Sequence, residues 1–312
     1  MKSILIAHHD CEKYAETLAG ELDGYDVMLS PSLKAAGEAT LAKAHIILGL
    51  GPQFNDTIIG AAKNVDWIQC LTTGTETITG APSLRDGVLI TSTRGIHGPQ
   101  MSELTILLML ALTRRLPRML ANQAKHKWER WPQSILDGKT VAILGIGAIA
   151  EHLAPLCKGF GLTVFGISQS ARSVAGIDRM FMRDQLKEAV GLSDYFVVIV
   201  PHAPDTDKIV DRSVLEAMKP SAFFINVARG GVVDEDALID ALRNKRIAGA
   251  GLDVFETEPL PEDSSLWGLD NVIITPKVGG MTDVYVEQTA PIVAHNLRAY
   301  RDGRLSDLIN KV

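Results

Sequence analysis

At 312 residues, with 46% hydrophobic and 22% charged content, the chain is long enough for about two domains and has a folded rather than a disordered composition. A formal charge of −6 and a pI near 5.8 argue against nucleic acid as a partner, because phosphate binding needs a concentrated basic surface. The basic runs at Arg114-Arg115 and residues 125–130 are short and mixed, and read as a solvated helix face. Three cysteines (Cys11, Cys70 and Cys157), odd in number and far apart, fit a reduced cytosolic compartment and show no metal spacing.

The N-terminus is apolar to Ala7 and polar from His8-His9-Asp10, too soon for a signal peptide, so residues 3–7 are predicted as a strand. Residues 25–29, 45–50, 67–71 and 88–91 read as further short strands, separated by helical patterns such as 12–22 and 54–62. That alternation implies a parallel sheet covered on both faces. Residues 103–120 form one longer helical segment, apolar nearly all round up to Leu112 and therefore expected in a core or a subunit interface. Its apolar centre, residues 106–112, is too short to cross a bilayer, so a soluble, cytoplasmic protein is expected. Residues 125–132 read as an exposed arm, and two tryptophans on it, Trp128 and Trp131, point to a covering partner. From Lys139 a second alternating run begins, with strands predicted at 140–144, 163–167, 195–200, 222–226, 249–253 and 272–275. One terminal helix, residues 283–300, has no strand of its own and is expected to pack back on the first domain, leaving the active site in a cleft between the two.

Strand 140–144 runs into Gly145-Ile146-Gly147-Ala148-Ile149-Ala150 and then a helix, the strand–turn–helix context that a dinucleotide fingerprint requires. Gly145 allows the tight turn, Gly147 lets backbone approach a pyrophosphate at the helix N-terminus, and Ala150 permits close packing on the strand. Ala148 and Ile149 complete the predicted cradle. The next strand ends in Ser168-Gln169-Ser170-Ala171-Arg172, with no Asp or Glu to accept from a ribose 2′-hydroxyl. Ser168, Gln169, Ser170 and Arg172 are suited instead to a 2′-phosphate, so NADP(H) is preferred and NAD(H) is the alternative.

Three more segments follow in order: Ile225-Asn226-Val227-Ala228-Arg229-Gly230-Gly231-Val232-Val233-Asp234, Gly251-Leu252-Asp253-Val254-Phe255-Glu256-Thr257-Glu258-Pro259-Leu260-Pro261, and Thr275-Pro276-Lys277-Val278-Gly279-Gly280. At these residues the chain resembles the D-isomer-specific 2-hydroxyacid dehydrogenases, the family of glyoxylate/hydroxypyruvate reductases and phosphoglycerate dehydrogenases. The resemblance covers essentially the whole chain and is strongest over residues 138–280. It implies an α/β fold of two Rossmann-like domains, a flavodoxin-like substrate domain (1–96 plus 283–312) and a doubly wound dinucleotide-binding domain (97–282). It also implies a homodimer, with the long helix and the tryptophan arm at its two-fold interface. Arg229 matches the arginine that binds the substrate carboxylate and carbonyl, Glu258 the carboxylate behind the acid/base, and Asp253 a contact to the nicotinamide end. Thr73-Gly74-Thr75 matches the loop whose amides, those of Gly74 and Thr75, hold the carboxylate. Val200, Pro201, Val227, Ala228 and Gly279 are expected to line the cofactor.

The chain departs from the family at Lys277, where the resemblance implies a catalytic histidine. A histidine gives and takes a proton near neutrality, whereas a lysine in water, with a pKa of about 10.4, stays charged. Arg229 would push Lys277 towards neutrality and Glu258 would hold it charged. Three readings stand. Lys277 is the acid of a reductase; or it binds substrate while a water or another residue delivers the proton; or the fold survives as a dinucleotide-binding sensor. Among other histidines, His202 is the best substitute but reads first as a residue lining the cofactor pocket, His97 reads as a hinge residue, and His8 and His9 carry no assigned role. Tyr285 is a weaker candidate for lining the pocket.

Overall fold

The computed structural model describes residues 1–170 and 172–312. In chain order the elements begin β1 (Ser3–Ala7), α1 (Cys11–Thr17), α2 (Ala19–Leu22), β2 (Asp26–Ser30), α3 (Leu33–Lys43), β3 (Ile46–Gly49), α4 (Asp56–Ala61), β4 (Trp67–Cys70), α5 (Glu76–Thr79) and β5 (Leu89–Thr91). Then come α6 (Gly98–Thr113), α7 (Leu116–Ala124), β6 (Thr140–Leu144), α8 (Ala148–Gly159), β7 (Thr163–Ser168), β8 (Arg179–Met182), α9 (Leu186–Leu192) and β9 (Tyr195–Val198). The chain closes with α10 (Arg212–Ala217), β10 (Phe223–Asn226), α11 (Glu235–Arg243), β11 (Gly249–Leu252), β12 (Val272–Ile274) and α12 (Tyr285–Arg301). These divide into two units, Met1–Ile96 with Thr282–Val312, and His97–Met281.

In the first unit a parallel sheet runs β2-β1-β3-β4-β5, the flavodoxin-like order. Strands β1, β3 and β4 are buried along their whole length because both faces are covered, which is why they read as apolar runs without alternation. One face packs on α1 and α12, where Ile4, Ile6, Leu48 and Trp67 meet Tyr14, Val286, Val293 and Leu297. The other face buries Leu5, Ile47 and Ile68 with Leu33, Leu41 and Ile59 of α3 and α4.

In the second unit the parallel order is β12-β11-β10-β9-β6-β7-β8, a doubly wound sheet. Ile143, Val197 and Ile225 pack under α6 and α8, while Leu144, Val198 and Phe224 face α9, α10 and α11. Side-chain caps set several helix starts: Asp234 accepts from the Ala237 amide at 3.0 Å, and Asp211 from Val214 at 3.0 Å.

Several predicted boundaries change. Residues 103–120 are two helices rather than one: α6 stops at Thr113, Arg115 turns left-handed (φ 54), and Pro117 sits in the first turn of α7. Residues 125–130 lie beyond α7, so they are not a helix face. The 12–22 pattern is split into α1 and α2 at Leu18. Strand β8 and helix α3 were not predicted: β8 is a short, half-exposed edge strand, and Gly37 (φ 73) interrupts α3. The terminal helix is followed by a tail that does pair with the sheet, through an antiparallel bridge of Lys311 with Thr91 and a Val312 amide donating to Ile90 at 3.0 Å. On the arm, Trp128 is 92% exposed, but Trp131 is covered by the Arg118 guanidinium, 4.3 Å from its ring centre. Among the described residues no helix is long and apolar enough to cross a membrane.

Candidate active site

Strand order in the second sheet reverses between β6 and β9, and in α/β sheets a ligand crevice opens beyond the carboxyl ends at such a point. Gly145 leaves β6 with φ 102, and a Cβ there would stand 2.7 Å from the Val200 amide nitrogen. Both the backbone angle and the neighbouring chain require glycine. Gly147 caps α8 in an extended conformation, and nothing lies within 4 Å of the place its Cβ would take. That open cradle at a helix N-terminus fits a pyrophosphate, whose charge the first-turn amides and the helix dipole favour. Ala148 is exposed and Ile149 half-buried beside it, while Ala150 is fully buried against the sheet.

Beyond β7, the Ser168 hydroxyl accepts from the Ser170 amide at 3.4 Å, and Gln169 and Ser170 are exposed. Ala171, part of the same predicted loop, lies outside the described residues. Arg172 does not point away from the fold. Its Nη1 donates to the Ile146 carbonyl at 2.8 Å, within the glycine loop, and its Nη2 donates to the Glu151 carboxylate on α8.

The loop after β10 is fixed by a buried side chain that sequence reasoning passed over. Asn226 accepts from the Ala228 amide and donates to the Arg229 carbonyl, each at 3.0 Å. An Asn two residues before the amide it binds is the signal of an Asx turn. Val227 and Ala228 are thereby buried, and half-buried Arg229 donates from Nη1 to the Ala228 carbonyl at 2.7 Å. Val200 is buried beside Gly145, whereas Pro201 is exposed, its carbonyl accepting from the Thr206 hydroxyl at 2.7 Å.

Asp253, 2% exposed at the end of β11, anchors the loop that carries Lys277. Its Oδ1 accepts from the Thr275 hydroxyl (2.6 Å) and the Val278 amide (3.0 Å), and its Oδ2 accepts from the Gly279 amide (3.1 Å). A side chain at Gly279 would collide with that carboxylate and with Leu104 and Met101 of α6. Within this frame Lys277 adopts φ 55, a left-handed conformation that a non-glycine residue keeps only when its surroundings impose it. Its Nζ donates to Oε2 of Glu258, whose Oε1 faces the Phe255 amide at 3.3 Å. An ammonium held by a carboxylate, in the same unit as the half-buried Arg229 fork, can bind an anionic substrate oxygen and release one proton.

His97 begins α6 with its ring 3.3 Å from where a Gly280 Cβ would be. Burial first, and then the Arg229 charge, push its pKa down to about 4, so it is neutral at pH 7. His202 is exposed, with Nε2 2.8 Å from the Asp207 carboxylate and its ring against Gly231.

In the first unit, the loop after β4 is locked to the loop after β3. The Thr72 hydroxyl accepts from the Gly51 amide and donates to the Gly74 carbonyl, each at 3.1 Å, and Thr77 donates to the Gly51 carbonyl at 2.7 Å. Gly74 and Thr75 are half-buried, and Thr75 opens α5. The Tyr285 hydroxyl donates to the Leu71 carbonyl at 2.5 Å, which makes this tyrosine a tie between α12 and β4's exit. After β1, His8, His9 and Asp10 bring ligand atoms within 4.8 Å of one another. However, His8, neutral because burial and His9 lower its pKa to about 4, already accepts from the Asp10 amide through Nδ1 at 3.0 Å.

Residues 106–279 match the family model described as D-isomer specific 2-hydroxyacid dehydrogenase, NAD binding domain. A glyoxylate reductase from Thermococcus onnurineus is 32% identical over 280 residues, 85% of this chain and 82% of that protein. Among solved structures, a D-isomer specific 2-hydroxyacid dehydrogenase family protein from Aeromonas salmonicida superposes with a TM-score of 0.92 at 32% identity, covering 100% of this chain and 98% of the other. An NADPH-dependent glyoxylate/hydroxypyruvate reductase from Sinorhizobium meliloti, in complex with NADP and sulfate, does so with a TM-score of 0.84 at 25% identity, covering 100% and 98%.

Proposed function

Because the chain belongs to the D-isomer specific 2-hydroxyacid dehydrogenase family, we propose that it reduces a small 2-keto acid, such as glyoxylate or hydroxypyruvate, to the D-2-hydroxy acid. The observation that carries this reading is the anchored loop that presents Lys277 to Glu258. NADPH is the preferred reductant and NADH the alternative, because residues 168–170 hold no carboxylate for a ribose hydroxyl while Arg172 lies against the glycine loop. When bound, the dinucleotide supplies the hydride. Gly145, Gly147, Ala148 and Ile149 cradle its pyrophosphate, with Val200, Pro201, Val227, Ala228, Asp253 and Gly279 along the rest of it.

Arg229 takes the substrate carboxylate and polarises the carbonyl, since its forked donors match paired oxygens. From the first unit, the amides of Gly74 and Thr75 are further donors to the carboxylate. Protonated Lys277 gives its proton to the carbonyl oxygen as the carbon is reduced, and Glu258 steadies the ammonium before transfer. A lysine acid makes reduction the favoured direction at neutral pH. The protein acts as a homodimer, which gives the bare Trp128 a covering surface.

The test follows oxidation of NADPH or NADH spectroscopically with a panel of 2-keto acids, beside Lys277→Ala. We expect turnover that prefers NADPH and falls roughly 10²-fold or more in the variant, with dinucleotide affinity unchanged. Unaltered turnover in the variant removes Lys277 from the proton step. Tight dinucleotide binding without turnover on any keto acid replaces the enzyme with a sensor.

A further inference from the structure

On the NADPH reading Arg172 meets the 2′-phosphate, yet one of its two terminal nitrogens already donates to a carboxylate. Nη1 donates to the Ile146 carbonyl at 2.8 Å, which holds the guanidinium against the glycine loop, and Nη2 donates to Glu151 in the first turn of α8. We propose that Glu151 is a specificity-determining residue for the dinucleotide: its carboxylate competes with the 2′-phosphate for Arg172 and so limits how far NADPH is favoured over NADH. This inference rests on the NADPH reading above.

Two features favour competition over support. The Arg172 and Glu151 side chains are 42% and 51% exposed, and ion pairs that open to water are weak enough for a dianionic phosphate to displace. The backbone acceptor at Ile146 remains after Glu151 is neutralised, so the carboxylate is not needed to keep Arg172 at the loop. Once displaced, Glu151 is still a negative charge on the same helix turn, and it repels the phosphate that replaced it.

The probes are adenosine 2′,5′-bisphosphate and AMP, which differ only in the 2′-phosphate, titrated calorimetrically into the full chain. Glu151→Gln is expected to tighten the bisphosphate by about fivefold and leave AMP unchanged. Arg172→Ala is expected to weaken the bisphosphate about tenfold and to abolish the effect of Glu151→Gln. A wild-type preference for the bisphosphate that Glu151→Gln leaves unchanged or weakens overturns the competition while the NADPH reading stands. Equal wild-type affinity for the two nucleotides overturns the NADPH reading. In that case a preference that appears only in Glu151→Gln supports the competition, and no preference in either protein overturns both.

Discussion

Two loops of the second unit leave parallel strands at their carboxyl ends and are held in place by opposite means. The glycine loop after β6 keeps its shape through side chains that are missing: a Cβ at Gly145 would meet Val200, and the space beside Gly147 stays open. The loop of residues 275–280 keeps its shape through a side chain from elsewhere, since the Asp253 carboxylate gathers Thr275, Val278 and Gly279 and leaves Lys277 left-handed. The first is set chiefly by its own glycines, with Arg172 resting on the Ile146 carbonyl. The second depends on one buried side chain, and a single substitution outside the loop should release it.

The largest effect is therefore expected at Asp253→Ala, which strands the Thr275 hydroxyl and two amides and should lower unfolding free energy by about 3 kcal/mol in denaturant titrations. A loss below about 1 kcal/mol would mean that the loop holds itself, and the contrast would fail. Gly145→Ala should cost about 2 kcal/mol through its backbone angle alone and should weaken dinucleotide binding as well. Normal stability and affinity in that variant would show that the glycine loop has more room than its contacts imply. The smallest effect is a pH dependence at the far end of the lysine loop. His97 has its pKa lowered from 6.5 to about 4 by burial and Arg229, so its unfolded form binds a proton first. Its contribution to stability is complete above pH 6.5 and is lost as pH falls towards 4. Relative to wild type, His97→Gln should flatten that decline in unfolding measurements, while His8, lowered to about 4 in the first unit, maintains the remainder. An identical slope in both proteins would assign the pH response elsewhere.

The same contrast explains how much of the fold and site is legible in the sequence. Strands β1 and β6 match their predicted bounds because fully buried parallel strands are continuous apolar runs. The glycine loop was legible for a similar reason, since its constraint is written in its own residues. Strand β8 was not, because its three apolar residues, Met180 to Met182, make too short a run between Arg179 and Arg183-Asp184 to read as a strand. The break between α6 and α7 was blurred because Leu116, Met119 and Leu120 continue an apolar pattern across it. At the site, Arg229, Glu258 and Lys277 could be singled out, and the Asx turn at Asn226 carried a local signal, but the anchoring by Asp253 and the hold of Glu151 on Arg172 link residues that sequence spacing does not bring together.

The first unit is interrupted: residues 97–281 come between β5 and the helix that completes it. Ile4, Ile6, Leu48 and Trp67 have no cover from Val286, Val293 and Leu297 until α12 has been made. The second unit, continuous in sequence, can finish folding first, while the amino-terminal segment waits with one apolar sheet face covered by α1 alone. Until α12 docks, the part of that face which α1 leaves open is apolar surface available to chaperones and to other chains.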